Sequence, residues 1–165
     1  MNELLLRPLN DDDVEWIFQA CQDAEIQRWT LVPRPYEREH AQAFVTNELG
    51  EFIRWAIIDS DSQSALGVIS IHGVDSESGE ADIGYWVAPW ARGQGVGAQA
   101  LRQMISGARD LPEIRHLVAK VASDNHGSQS VVLRAGFALL SHQMGPATEH
   151  LQVVPTNIYR LSLER

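Results

Sequence analysis

Read for the spacing of its apolar residues, the chain switches repeatedly between the two-residue period of strands and the 3.6-residue period of helices. Leu4 to Leu9 alternates weakly and predicts a first strand, with Pro8 placing it at a sheet edge or marking its end. The polar cluster Asn10 to Asp13 offers N-cap chemistry, and Val14, Ile17, Phe18 and Cys21 follow at helical spacing. Glu25 to Tyr36 carries Pro33 and Pro35 and predicts a loop or broken helix over the surface. Between Tyr36 and Leu49 the residues Ala41, Phe44, Val45 and Leu49 form the apolar stripe of a second helix, with Gly50 as its C-terminal cap.

Phe52 to Asp59, Ala65 to Val74 and Ala81 to Val87 are apolar and β-branched segments joined by polar turns, which predicts an antiparallel meander. Pro89 ends the third of these strands. Val96, Ala100, Met104 and Ala108 then recur at four-residue spacing, one face of an amphipathic helix. Arg115 to Ser123 predicts a strand with Leu117, Ala119 and Val121 on one face. Because a helix crosses over before it, this strand should run parallel to the one ending at Val87. A short helix from Gly127 to Ala135 follows, closed by Gly136, and Phe137 to Gln143 and Asn157 to Leu163 are expected to pair as the last strands. The sum is an α+β fold on a mixed, mainly antiparallel sheet.

Composition narrows the picture. With 165 residues and 44% apolar content, the chain suits a single domain spanning 1–165. A net charge of −9, gathered at Asp11 to Asp13 and between Asp75 and Asp82, disfavours a nucleic-acid or anionic-membrane partner. It would draw in a cationic one, such as an amine, and it also serves plain solubility. One cysteine, Cys21, forms no internal disulfide and reads as core packing in a reducing compartment. No basic stretch precedes an apolar one at the N-terminus, so a soluble, cytoplasmic protein is expected.

The chemistry concentrates between Val87 and Gly97. After the strand, Arg92, Gly93, Gln94, Gly95, Val96 and Gly97 open a helix. Unpaired N–H groups and the positive end of a helix dipole suit a phosphate, residues without a Cβ let a pyrophosphate come close, and Arg92 adds a fixed charge. A P-loop would need Gly-Lys-Ser/Thr, whereas Ala98 and Gln99 follow Gly97. A dinucleotide fingerprint would place its third glycine one residue later.

What remains, Arg-x-x-Gly-x-Gly after a strand ending Val-x-Pro, resembles the coenzyme A pyrophosphate loop of the GNAT acetyltransferase superfamily. A second motif, Asn125-x-x-Ser128 leading to Gly136-Phe137, is similar to the segment after the fifth strand in its RimJ/RimL branch. Arg7-Pro8-Leu9, Trp29-Thr30, Pro33 to Tyr36 and Ile83-Gly84-Tyr85-Trp86 share that likeness, which therefore covers nearly the whole chain. The resemblance implies a sheet of about seven strands with helices on both faces and a V-shaped split between the fourth and fifth strands. The pantetheine arm of acetyl-CoA would lie in that split, with no metal. Arg92 to Gly97 would hold the pyrophosphate, backbone at Val87 the pantetheine or acetyl carbonyl, and Asn125 the pantetheine amides; Trp86 is close enough in sequence to touch the cofactor.

Acetyl transfer to an amine needs a neutral amine, a stabilised oxyanion and a protonated leaving thiolate. Many family members protonate the thiolate with a tyrosine four residues before Gly-Phe; here that position is Val132. Ser128 is the substitute candidate, with a helix cap as its alternative role. Glu80, with Asp82 beside it, is the candidate base, and His72 on the neighbouring strand is a rival base and acceptor contact. Trp29 and Tyr36 would wall the acceptor site. The expected activity is acetyl-CoA-dependent N-acetylation of a primary amine: a peptide N-terminus, a polyamine or an amine-bearing small molecule. Its rival is a non-catalytic CoA-binding sensor on the same fold, and monomer and homodimer both stay open.

Overall fold

The computed structural model describes residues 2–145 and 153–163. From β1 (Leu4–Pro8) a 3-10 turn at Asp11–Asp13 leads into α1 (Val14–Ala20), α2 (Ala24–Trp29) and α3 (Arg38–Val45). The strands β2 (Ile53–Asp59), β3 (Ala65–Val74) and β4 (Glu80–Val87) form the expected antiparallel meander. A crossover helix α4 (Val96–Ala108) reaches β5 (His116–Ala122), and α5 (His126–Arg134) precedes the pair β6 (Ala138–Met144) and β7 (Pro155–Ser162). The sheet order is β1-β2-β3-β4-β5-β7-β6, with β4 and β5 the parallel pair. The loop expected between the last two strands falls at residues 146–152, outside the described residues.

Alternation along the strands sorts side chains to two faces. Ile83, Tyr85 and Val87 of β4 join Ile69, Ile71, Leu101, Met104, Leu117, Val132 and Phe137 in the larger core, beneath α4 and α5. Trp86 faces the other way, into a smaller core of Ile17, Ala20, Cys21, Ile26, Tyr36, Ala41 and Val45 under α1 to α3. Large side chains among them, such as Ile17, Ile69 and Leu101, contribute roughly 1.5–3 kcal/mol each when fully buried. The edge strand β1 is tied to α1 by Asp13, only 1% exposed. Arg7 reaches its carboxylate with both Nη atoms at 2.8 Å, and the Trp16 indole N–H donates to it at 2.7 Å.

Two expectations are corrected. The second helix ends at Val45 rather than Leu49, and Gly50 does not cap it. Asn47 adopts φ 61° and its side chain bonds both the N–H and the C=O of Glu51, which turns the chain out of the helix and leaves Leu49 79% exposed. Within Glu25 to Tyr36 the broken-helix alternative holds. Asp23 accepts the N–H groups of Glu25 and Ile26, each at 3.0 Å, and starts α2 before the prolines end it.

The feature that positions the site is where pairing stops. β4 and β5 pair from Glu80↔His116 to Ile83↔Ala119 and no further. Yet β4 stays on β3 through Val87, and β5 stays on β7 through Ala122. Each strand follows its other neighbour, so the sheet opens between them.

Candidate active site

The opening is lined by backbone. Ala88 donates its N–H to the Leu66 carbonyl on β3 at 2.8 Å. Residues of an antiparallel pair alternate between bonding the neighbour and pointing away, so Trp86 and Gly84 also turn toward β3. Tyr85 and Val87 therefore turn their N–H and C=O groups to the side where β5 has left. Counted in the same way from the Ser123 N–H, which donates to Pro155 at 2.9 Å, Lys120 presents its peptide groups from the opposite wall.

On the α4–α5 side, the Tyr85 hydroxyl lies 2.9 Å from Ser128 Oγ. Ser128 is not the cap of α5: the helix begins after Asn125, whose Oδ1 accepts the Ser128 N–H at 3.2 Å. Its hydroxyl is thus available to Tyr85. Burial pushes the Tyr85 phenol up, more than the contact with Ser128 brings it down, so Tyr85 keeps its proton. Val132, one turn beyond Ser128, is wholly buried in the core.

At the mouth a 3-10 turn, Pro89–Ala91, delivers the chain to the glycine turn. Gly93 and Gly95 have φ of 74° and 73°, left-handed values strained for any other common residue. The 13-residue α4 starts on Gly95 with no side chain on its first N–H groups, whereas α2 and α5 are capped by Asp23 and Asn125. Its positive end faces outward beside the end of β4. A Cβ on Gly97 would sit 3.4 Å from Tyr85 Cε2 and 3.6 Å from Val87 Cγ2, so glycine there brings the helix close to the strand.

The arrangement offers donors for an anion at one end, a slot of peptide groups turned away from β3 and β7 along the middle, and paired hydroxyls at its side. Residues 3–138 match the family of acetyltransferase (GNAT) domains. The chain belongs to this GNAT acetyltransferase family.

The Bacillus subtilis (strain 168) protein named uncharacterized N-acetyltransferase YoaA is 25% identical over 141 residues, covering 82% of this chain and 80% of that protein. The ribosomal-protein-serine acetyltransferase of Escherichia coli (strain K12) is 39% identical over 74 residues, which is 45% of this chain and 41% of that one. Among solved structures, RimL, the ribosomal L7/L12 alpha-N-protein acetyltransferase in complex with coenzyme A, superposes with a TM-score of 0.87 at 22% identity, over 99% of this chain and 96% of that chain.

Of the residues expected to serve a GNAT reaction, Val87, Gly93, Gln94, Gly95, Gly97, Asn125 and Ser128 gather at the opening and its mouth. Val96 brings only its backbone, since its side chain is core. Arg92 does not stand free beside the glycines: its guanidinium forks onto Asp23, with Nη1 to Oδ1 at 3.2 Å, and this pair holds the Asp23 carboxyl below its ordinary value. The Trp86 ring turns away from α4 and packs on Trp16, centroids 5.8 Å apart.

The structure does not bring Glu80 to the opening. It lies at the closed end of β4, paired with Arg160 at 3.2 Å, and four residues of strand, about 13 Å, separate it from Gly84. Tyr36 is a core residue, 5% exposed, and not a wall of the acceptor site. It is bonded to Cys21, and burial pushes both groups up, the thiol to about 12. The Trp29 indole donates to Glu25 at 2.8 Å, and Arg28 covers its ring at 4.2 Å, so it is engaged within α2. His72 is half-exposed, with Nδ1 2.7 Å from Glu51 Oε1. Sequence reasoning did not single out the Tyr85 hydroxyl, Glu51 or Asp23, which the fold brings to Ser128, His72 and Arg92. Only Tyr85 carried a signal, its place one residue after Gly84 in the strand that leads to the loop.

Among the described residues no group of three or more His, Cys, Asp or Glu side chains is placed to hold a metal ion. No described helix is long and apolar enough to cross a membrane.

Proposed function

We propose that this chain moves an acetyl group from acetyl-CoA to a primary amine by direct attack within one ternary complex. The observation that carries the reading is the end of the β4–β5 ladder at Ile83–Ala119, directly inside an uncapped helix N-terminus with two left-handed glycines. That geometry fits the coenzyme: a diphosphate needs convergent N–H donors, and a pantetheine amide chain needs strand-like partners. Bound there, acetyl-CoA would supply an acetyl group activated as a thioester.

The residues then divide the work. N–H groups from Gly93 to Gly97 hold the pyrophosphate, while Arg92 is paired with Asp23 beside them. Tyr85 and Val87 extend their peptide groups to the pantetheine and the acetyl carbonyl oxygen, where a fixed N–H donor is worth most as negative charge develops. Asn125 spends Oδ1 on its helix and has Nδ2 for the pantetheine. Ser128, backed by the protonated Tyr85, delivers a proton to the departing sulfur. Val132 removes the usual tyrosine, and the Tyr85–Ser128 pair puts hydroxyls back in its neighbourhood, which favours an enzyme over a silent CoA sensor.

For the acceptor, the net charge of −9 favours a cation, and similar proteins named for a ribosomal-protein serine and for an alpha-N-protein reaction favour a peptide α-amine, which suits a cytoplasmic setting. The test is calorimetry with coenzyme A, followed by thiol release from acetyl-CoA in the presence of an N-terminal-serine peptide or spermidine. Binding with turnover is expected. Binding without turnover on any amine would leave a sensor, and the absence of binding would remove the donor.

A further inference from the structure

The first residue of β4 beyond the last β4–β5 pair is Gly84, and directly over it stands an imidazole. A Cβ built on Gly84 would lie 2.4 Å from His72 Nε2, so the ring occupies the space a side chain would take. His72 arrives there because β3 carries a bulge. Ile71 pairs with Ile83 and Gly73 with Asp82, which leaves His72 as the extra residue, and such bulges re-aim a side chain.

The ring is also oriented. Nδ1 is 2.7 Å from Glu51 Oε1, and an ionised carboxylate only accepts, so in the neutral ring Nδ1 carries the proton and Nε2 keeps its lone pair. Glu51 is held by the turn that ends the α3 region, where Asn47 bonds its backbone on both sides. Its side chain is 13% exposed, and Oε2 is buried with no hydrogen-bond partner among the described residues. His72 by contrast is 46% exposed and opens into a cavity of about 400 Å³ shared with Asp75, Glu80, Asp82 and Lys120.

Resting on the acetyl-transfer reading above, we propose that His72 is the catalytic base that takes the proton from the incoming ammonium, and that Glu51 is the residue that positions it. The placement suits the chemistry from both sides of the sheet. His72 approaches β4 at Gly84 on one face; Tyr85 and Ser128 stand on the other, one residue on. The ammonium gives one proton to His72 Nε2, which passes it to solvent. The neutral nitrogen forms its bond to the acetyl carbon as the carbon–sulfur bond breaks, and its second proton is balanced by the one the sulfur receives. The products are an amide and a thiol, with no oxidant or reductant. Glu80 lines the same cavity but is paired with Arg160 at 3.2 Å, whereas His72 is the group set over Gly84.

The charged groups around the ring set its titration. The Glu51 hydrogen bond raises the imidazole above its ordinary value, and Asp82 adds to this; burial and Lys120 oppose it. Asp82 is itself paired with Lys120 at 3.0 Å, Glu80 and Asp75 line the cavity, and Arg54 faces Glu51 from β2. A base acts only when neutral, so the rate should rise with pH through a limb above the ordinary histidine value.

The experiment compares the pH dependence of kcat/KM for wild type, His72→Ala and Glu51→Gln, using acetyl-CoA with an N-terminal-serine peptide and with spermidine, alongside coenzyme A binding by calorimetry. His72→Ala should lose about 100-fold in kcat and lose the limb while binding coenzyme A as wild type does. Glu51→Gln should keep the limb but move it to lower pH, a shift that mere loss of packing would not produce. An unchanged limb in His72→Ala, with wild-type turnover intact, overturns the base and leaves the transferase reading standing. A wild type that binds coenzyme A and turns over neither amine overturns both.

Discussion

Ser128 shows how much one hydrogen bond decides. Asn125 takes the helix cap, and the serine hydroxyl is thereby left to Tyr85 at 2.9 Å. Ser128→Ala should lower kcat about tenfold or more with little change in coenzyme A affinity, read by steady-state kinetics beside calorimetry. An unaltered kcat would take Ser128 out of the chemistry. Asp13 carries a structural counterpart. Burial raises its carboxyl, but Arg7, the Trp16 indole and the Asn10 N–H together outweigh that and hold it below 3.8. A group lowered in the fold stabilises above its ordinary value and loses that contribution as pH falls through the folded one. Asp13→Asn should therefore cost about 3 kcal/mol in urea unfolding at pH 7, since it leaves Arg7 without its carboxylate, and progressively less as pH falls below 3.8. Neither role could be read from residue type, because Ser and Asp are equally at home in a cap, a pair or solvent.

The glycine turn and α4 act as a unit. Gly95→Glu puts a side chain at φ 73° and a negative charge where N–H groups converge, so coenzyme A affinity should fall at least tenfold by calorimetry, with a drop of about 1 kcal/mol in stability. α2 is coupled to the same turn through Asp23 and Arg92. Asn is as good an N-cap as Asp, so Asp23→Asn should keep α2 while releasing the guanidinium toward the pyrophosphate. Coenzyme A binding should then tighten severalfold at low salt, and weaker binding would show instead that the pair holds the turn in shape. Elements with a clean period were legible: β2 to β4 and α4 lie where their apolar spacing puts them. Arg38–Val45 was overextended because Leu49 kept the period, while Asn47, in a left-handed conformation, ended it. A period says nothing of where a side chain captures backbone.

At the scale of the molecule, one sheet separates two tasks. The larger core under α4 and α5 holds the strands that part, and the smaller core under α1 to α3 holds the face from which His72 looks out. A ligand spanning the opening should stabilise the whole: saturating coenzyme A at 100 times its Kd adds about 2.7 kcal/mol, visible as a rise in melting temperature. Sequence alone determined the α+β class, the parallel sense of the strands on either side of the crossover, the glycine turn and the family likeness, because these rest on local period, on backbone conformations only glycine adopts easily, and on the way a helical crossover joins parallel strands. Tertiary structure alone decided which polar groups meet. Glu80 was drawn to Arg160, Arg92 to Asp23, Tyr36 into the core, and His72 onto Glu51 above Gly84. These partners lie 21 to 80 residues apart in the chain for His72 and Glu80, and only the folded sheet brings them within hydrogen-bonding reach.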